Sequence, residues 1–500
     1  MNEGTHALEV AYLAVEEAIR LGANYADSRH DLIDREDLRV QNGQMVRASH
    51  LHERGVGLRV LVDGVWGFVA LSEPTRHDAI VAARRAVANA KAGAILTTRA
   101  EEVVESDPVR GLFRTTVEQS PWDVPLEEKV SLLLELNALL AAPAEVVVAR
   151  SRFYLHRMHR LCVTSDGAEI DQEIHRIELG MEAGASDGER LRLVAHPDGS
   201  VLSASGAGWE ILERQDLKGT AQVLSGAAVE QLSARPLPRR TRTLIVSSAV
   251  AAAHLASLIP LLRLDRVLGD GPSAPILDDR IGSEDVEVVS HPGWSFGAGS
   301  HGYDDEGVPA EPIVLVDGGR VTAGLSSRGL AARLGFDRSS GSMRTGHWSR
   351  SPTVCPSNLV MASGGADSVE SLIADTREGI YVESLAALAL FEDRYVATPS
   401  RAWLLKDGRR QHLVCDISYG GRVQELLAHV VEVASSPSPT NHAARFEGSV
   451  VGLSAPPLKL TGVEVGPILQ PGLPRWGSMR ARTSSSRFRS PRSLARKDRS

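Results

Sequence analysis

Long runs of alternating apolar and polar residues, punctuated by Asn-Gly and Asp-Gly pairs, constrain this chain most. Leu38–Val46 alternates around Asn42-Gly43, and Leu58–Val62 and Val65–Leu71 flank Asp63-Gly64. These dipeptides favour the positive-φ turns whose twist matches two antiparallel strands, so each reads as a hairpin. A further strand is expected near Tyr25–His30, and these four or five strands form an antiparallel sheet. The same pattern returns over Glu145–His156, Arg160–Ser165 and Ala168–Glu182, with Asp166-Gly167 as another tight turn.

Helical spacing alternates with the strands. Leu8, Ala11, Tyr12, Val15, Ala18 and Ile19 share one face before Gly22, which stands where a C-cap belongs. Pro74 opens a second helix through Ala92, with Ile80, Ala83, Val87 and Ala90 on one side. Residues 93–125 read as a polar connection. A third helix is expected over Leu126–Ala141, its apolar face broken only by Asn137, and another near Leu217–Ala234 after the loop Gly206-Ala207-Gly208-Trp209.

The Pro/Arg-rich Arg235-Pro236-Leu237-Pro238-Arg239-Arg240 divides the chain into an N-terminal domain, residues 1–234, and a C-terminal domain, residues 241–470. The second half is β-rich, with strands over Val286–Val289, Ile313–Val316, Arg320–Leu325, Leu359–Met361, Trp403–Lys406 and Leu413–Asp416. The fold class is therefore α+β: an N-terminal α/β domain with an antiparallel sheet and helices, then a β-rich domain.

Two domains suit 500 residues with 43% hydrophobic content. Nine of the 55 Lys/Arg and one of the 63 Asp/Glu fall in residues 471–500, leaving 46 against 62 in residues 1–470, a net of −16. An acidic body disfavours a nucleic-acid-binding core, and the Ser/Pro/Arg tail is expected to be disordered. The start lacks a basic and apolar leader, and no apolar run approaches roughly 18 residues, so a cytoplasmic protein without membrane association is expected. Cys162, Cys355 and Cys415 follow no metal or disulfide spacing and read as buried thiols.

For chemistry, the eye falls on the apolar helix after strand Thr243–Val246, capped by Ser247 or Ser248 and limited by Pro260. Its one ionisable group is His254. A catalytic zinc needs about three protein ligands, and Leu255, Ala256, Ser257, Leu258 and Ile259 supply neither a base nor a second imidazole, so His254 reads as a core histidine. Ser300–Pro309 places Asp304, Asp305 and Glu306 behind His301 and Tyr303. It reads as a solvated turn rather than a cation loop, whose ligands alternate. Arg344 and His347 on a Gly-bounded loop, with Asn358 beyond, suit either a grip on a peptide backbone or an ordinary surface loop. A Cys355–His347 pair is conceivable, but a structural thiol is the commoner case. Nucleophile-elbow, phosphate-loop and dinucleotide motifs are absent.

Taken in order, several segments resemble the TldD/PmbA family. They are Ala23–Asp27, Arg54–Val60, Gly64–Phe68, Ser165–Gly167, Tyr303–Pro309, Gly341–Arg344, Pro356–Val360 and Glu378–Val382. The resemblance covers nearly the whole chain except the basic tail. Zinc-bearing TldD members of that family carry a His-Glu-x-x-x-His helix and a late cysteine. Here the helix reads His254-Leu255-Ala256-Ser257-Leu258-Ile259, and the late segment Ala443–Gly448 has no cysteine. His254 is then the remnant of the zinc helix. Asp304-Asp305-Glu306-Gly307 and Pro356-Ser357-Asn358 look more like the metal-free TldE (PmbA) subunit.

The resemblance implies a barrel-like C-terminal domain and no cofactor in this chain. It further implies a heterodimer with a zinc-bearing TldD-like subunit, acting on unfolded or extended peptides. Tyr303, Asp304, Asp305, Glu306, Arg344 and Asn358 are expected at the shared cavity or interface. A self-sufficient hydrolase and a non-enzymatic binding protein are the competing readings.

Overall fold

The computed structural model describes residues 3–95, 97, 99–267, 277–391, 393–435 and 441–468. The basic tail lies outside the described residues. Asn42 and Gly43 adopt φ of 48° and 75°, and Asp63 and Gly64 of 50° and 77°. Those two turns join strands Tyr25–Gln41, Gln44–Val62 and Val65–Ser72. The first strand does not stop near His30 but runs on to Gln41, pairing on its other side with Val146–Thr164, which pairs in turn with Glu169–Ser186.

Helices Glu3–Arg20 and Arg76–Ala94 cover one face of this sheet. Val10, Ala14 and Ala18 meet Val56, Leu58 and Val60, with Ala83, Ala86 and Ala90 alongside. The second helix begins after Pro74 because Thr75 and Asp78 form a reciprocal capping box. Gly67 permits close packing, since a Cβ there would come within 2.2 Å of the Ala86 carbonyl. Helices Leu126–Leu140 and Leu217–Glu230 cover the far part of the sheet, burying Leu133, Leu136 and Leu140 against Phe153 and Leu179. Asn137, the polar break in that face, is fully buried. Its amide donates to the Val40 and Ala149 carbonyls and its oxygen accepts from Gly43 N–H, so it pins the first hairpin turn. Within the expected polar connection 93–125, Arg110–Arg114 forms a strand parallel to Glu169–Ser186.

The sheet does not end with the first half. Through Leu202–Ser205 it passes to His442–Phe446, Ser449–Ser454, Asn358–Met361, Val288–Ser290, Ile313–Asp317 and Arg320–Val321, for fourteen strands among the described residues. A second sheet closes into a five-stranded barrel of Glu378–Phe391, Arg240–Val246, Leu458–Pro467, Ile417–Arg422 and Arg394–Lys406. Leu244, Val246, Ile380, Val382, Tyr419 and Leu460 belong to its core, with helix Ser248–Ser257 packed in the same cluster. The architecture is thus α+β with a barrel in the C-terminal half, as the sequence led us to expect. No helix among the described residues is long and apolar enough to cross a membrane.

Candidate functional site

His254 sits inside the apolar helix at 2% exposure. Ser247 caps the helix by accepting from Val250 N–H. The ring lies edge-on to Tyr395 and Tyr419, and its Nε2 stands 2.8 Å from the Tyr419 hydroxyl. Burial pushes its pKa down to about 4, so the imidazole is neutral. Leu255 and Ile259, where a base and a second ligand would stand, are themselves buried in the same apolar cluster. This donor set does not fit a zinc ion: Nε2 is committed to a phenol, Nδ1 is buried without a hydrogen-bond partner, and no group of three or more His, Cys, Asp or Glu suited to a metal occurs among the described residues.

The acidic loop is not the solvated turn its composition suggests. Asp304, Asp305 and Glu306 are only 1%, 3% and 1% exposed, because the sheet face opposite the two N-terminal helices carries charges that receive them. Antiparallel register sets Asp27 opposite Arg59 and Asp31 opposite Arg160, all on that face. Arg160 grips Asp31 with two bonds of 2.7 Å and reaches Asp305 at 2.6 Å. Arg59 bonds Asp27 at 2.7 Å and Glu306 at 2.9 Å. Arg29 stands within 3.8 Å of Asp27 and 3.7 Å of Asp305.

Backbone donors complete the loop. Asp304 accepts from the N–H groups of Glu306, Val308 and Met343, and Asp305 accepts from Thr345 N–H. Burial, and next the Glu306 carboxylate, push the Asp304 pKa up to about 8. Burial also acts to raise Asp31, but Arg160 prevails and holds its carboxyl below the usual range. Asp305 and Glu306 thereby fasten the C-terminal half to the sheet, while Asp304 holds together the backbone of its own loop and Met343.

Arg344 is no surface residue either: its guanidinium donates to the carbonyls of Pro356 and Val450. Asn358 is wholly buried, accepting from Gly299 N–H and donating to the His291 carbonyl and Ser300 Oγ. Gly452 leaves room for it, since a Cβ there would fall 1.9 Å from Asn358 Oδ1. Tyr303, Asp305 and Arg344 line a small, partly open cavity, whereas Asp304, Glu306 and Asn358 are absorbed into packing. His347 and Cys355 are not partnered. His347 Nδ1 bonds Ser349, while the buried Cys355 thiol points at the Pro356 carbonyl and burial raises it to about 11. An open groove of ≈ 810 Å³ runs between Glu105–Val109 and Ile313, with Leu264, Pro309 and Phe336 on its walls.

Sequence reasoning missed Asp27, Asp31, Arg59 and Arg160 as members of this centre. The available signal was the alternation Asp27, Arg29, Asp31, which puts three charges on one strand face.

Residues 33–90, 119–235 and 239–467 match, in order, the models for PmbA/TldA metallopeptidase domain 1, central domain and C-terminal domain. The chain belongs to the PmbA/TldD family. It is 28% identical over 421 residues to a metalloprotease of Methanothermobacter thermautotrophicus, covering 82% of this chain and 88% of that one. It is 24% identical over 457 residues to a metalloprotease of Synechocystis, covering 89% and 95%. The crystal structure of TldE from Thermococcus kodakarensis superposes with a TM-score of 0.72 at 18% identity, over 91% of this chain and all of that chain (100%), which establishes a shared fold.

Proposed function

We propose that this chain is the TldE-like subunit of a TldD–TldE-type zinc peptidase, cytoplasmic, acting on unfolded or extended peptides beside a partner that carries the zinc. The observation that carries the reading is the state of the remnant zinc helix. His254 holds Tyr419 at 2.8 Å in an apolar core, and Leu255 and Ile259 replace the base and the second histidine. An enzyme-shaped chain without a metal site is readily accounted for when a paired subunit supplies one. The open groove beside Ile313 offers apolar wall to an extended peptide.

A second reading, a self-sufficient peptidase, draws on the relatives named metalloproteases. Mixing with a family member that carries the His-Glu-x-x-x-His helix separates the two. The expected result is a one-to-one complex by mass in solution, with cleavage of an unstructured peptide by the mixture and none by this chain. Equal cleavage by this chain alone, together with about one tightly held zinc per chain, establishes the second reading instead. Absence of a complex at micromolar concentration defeats the heterodimer.

A further inference from the structure

The small cavity beneath the acidic loop has a volume of ≈ 30 Å³ and is shaped by Arg160, Arg176, His301, Tyr303, Asp305 and Arg344. A space of this order holds water or a small ion. Its charges do not balance. Arg160 is matched by Asp31 and Asp305. Arg344 spends two of its N–H groups on carbonyls, and Arg176 makes one long contact of 3.4 Å to His156 Nδ1 while its Nε has no partner. Among the described residues neither of these two guanidinium groups forms an ion pair, although Arg176 is only 9% exposed. Burial lowers the Arg176 pKa to about 10; the buried Glu178 carboxylate opposes this, and Arg344 adds to it. Glu178 is already shared by Arg152 and Arg445, so guanidinium groups outnumber carboxylates around the cavity and an anion here is favoured.

The histidine narrows the class of anion. His301 Nδ1 lies 2.9 Å from the Gly299 carbonyl, which can only accept, so Nδ1 carries the proton. In the neutral ring Nε2 then presents a lone pair. That atom is buried, has no hydrogen-bond partner and belongs to a residue only 5% exposed. The site thus combines guanidinium donors with one acceptor. A halide or nitrate leaves the acceptor unmatched, whereas an oxyanion that keeps one O–H satisfies both.

We propose that this cavity binds a small protonated oxyanion, of the hydrogen phosphate or hydrogen carbonate kind, with Arg176 and Arg344 balancing its charge and His301 Nε2 accepting its O–H. His254 of the barrel takes no part in its lining. It is tested by thermal melting of the full chain titrated with sodium phosphate, sodium bicarbonate, chloride and nitrate at constant ionic strength. The expected result is a saturable rise with phosphate or bicarbonate and none with chloride or nitrate. Whichever of the first two saturates identifies the source. Arg176→Gln and His301→Phe are expected to weaken the apparent affinity at least tenfold. A rise along one common curve for all four salts, or variants that titrate like the parent chain, overturns the proposal. Should both variants fail to fold, the salt series on the parent chain decides alone.

Discussion

Arg59 Nη2 lies 2.9 Å from Glu306 Oε1, although the two residues stand 247 positions apart. Each comes from a different half of the chain, and Asp27 shares the same guanidinium at 2.7 Å. All three are nearly or wholly buried. Removing the cation therefore leaves Glu306 only the Arg328 backbone N–H and leaves Asp27 only the more distant Arg29. Arg59→Met is expected to destabilise the protein by roughly 3–5 kcal/mol in urea unfolding. Adding Glu306→Leu to that variant should cost less than the two single changes together, because the members share one network. Strict additivity would show that the pair does not couple the halves.

His254 gives a pH signature of definite sign. Its folded pKa is pushed down to about 4 by burial, whereas an unfolded histidine titrates near about 6.5. Between those values the unfolded chain binds more protons, so stability rises with pH, is complete above about 6.5 and is lost as pH falls toward 4. His254→Phe should reduce the slope in that window by up to about 1.4 kcal/mol per pH unit. Urea midpoints measured from pH 4 to 7 for both chains provide the comparison; parallel curves would contradict it.

Asp304 acts in the opposite direction. Its folded pKa of about 8 exceeds the unfolded value of about 3.9, so its contribution falls as pH rises between the two. Asp304→Asn loses an acceptor that Met343 N–H needs and so weakens the fold by roughly 1–3 kcal/mol. It should nevertheless flatten the decline of stability between pH 4 and 8. A variant whose midpoint still declines as steeply would place the Asp304 proton elsewhere.

Gly57 tests how closely the C-terminal loops press on the sheet. A Cβ there would stand 2.4 Å from the Trp348 carbonyl, a backbone atom that cannot swing aside. Gly57→Ala is expected to cost about 1–3 kcal/mol through overpacking. Gly43, where a Cβ meets nothing within 4 Å, has a φ of 75° and serves as the contrasting site. There Gly43→Ala destabilises only through backbone strain, by about 1 kcal/mol.

Local chemistry made much of this molecule legible. Asn42-Gly43 and Asp63-Gly64 lie at turns between paired strands, and helix Leu126–Leu140 appears where apolar spacing places it. What escaped was set by distant partners. Tyr25–Gln41 reads as polar beyond His30 because Asp31 and Arg35 find ion-pair partners on neighbouring strands. The run Asp304-Asp305-Glu306 reads as solvent-facing because nothing nearby in sequence announces Arg59 and Arg160. His254 was legible as a core residue from its apolar neighbours, but its tie to Tyr419 was not, since 165 positions separate them.

The closed barrel sets an order of events during synthesis. Its strand Arg240–Val246 pairs with Leu458–Pro467 on one side and Glu378–Phe391 on the other. A ribosome adding about 5–20 residues per second therefore needs roughly 10–40 s after making the first of these strands before the last one exists. Throughout that interval the nascent barrel has open edges, which are templates for pairing with other chains. The N-terminal hairpins, by contrast, find their neighbours within seconds of emerging. A growing chain of this kind thus meets its most aggregation-prone period late in translation, with its N-terminal hairpins already paired.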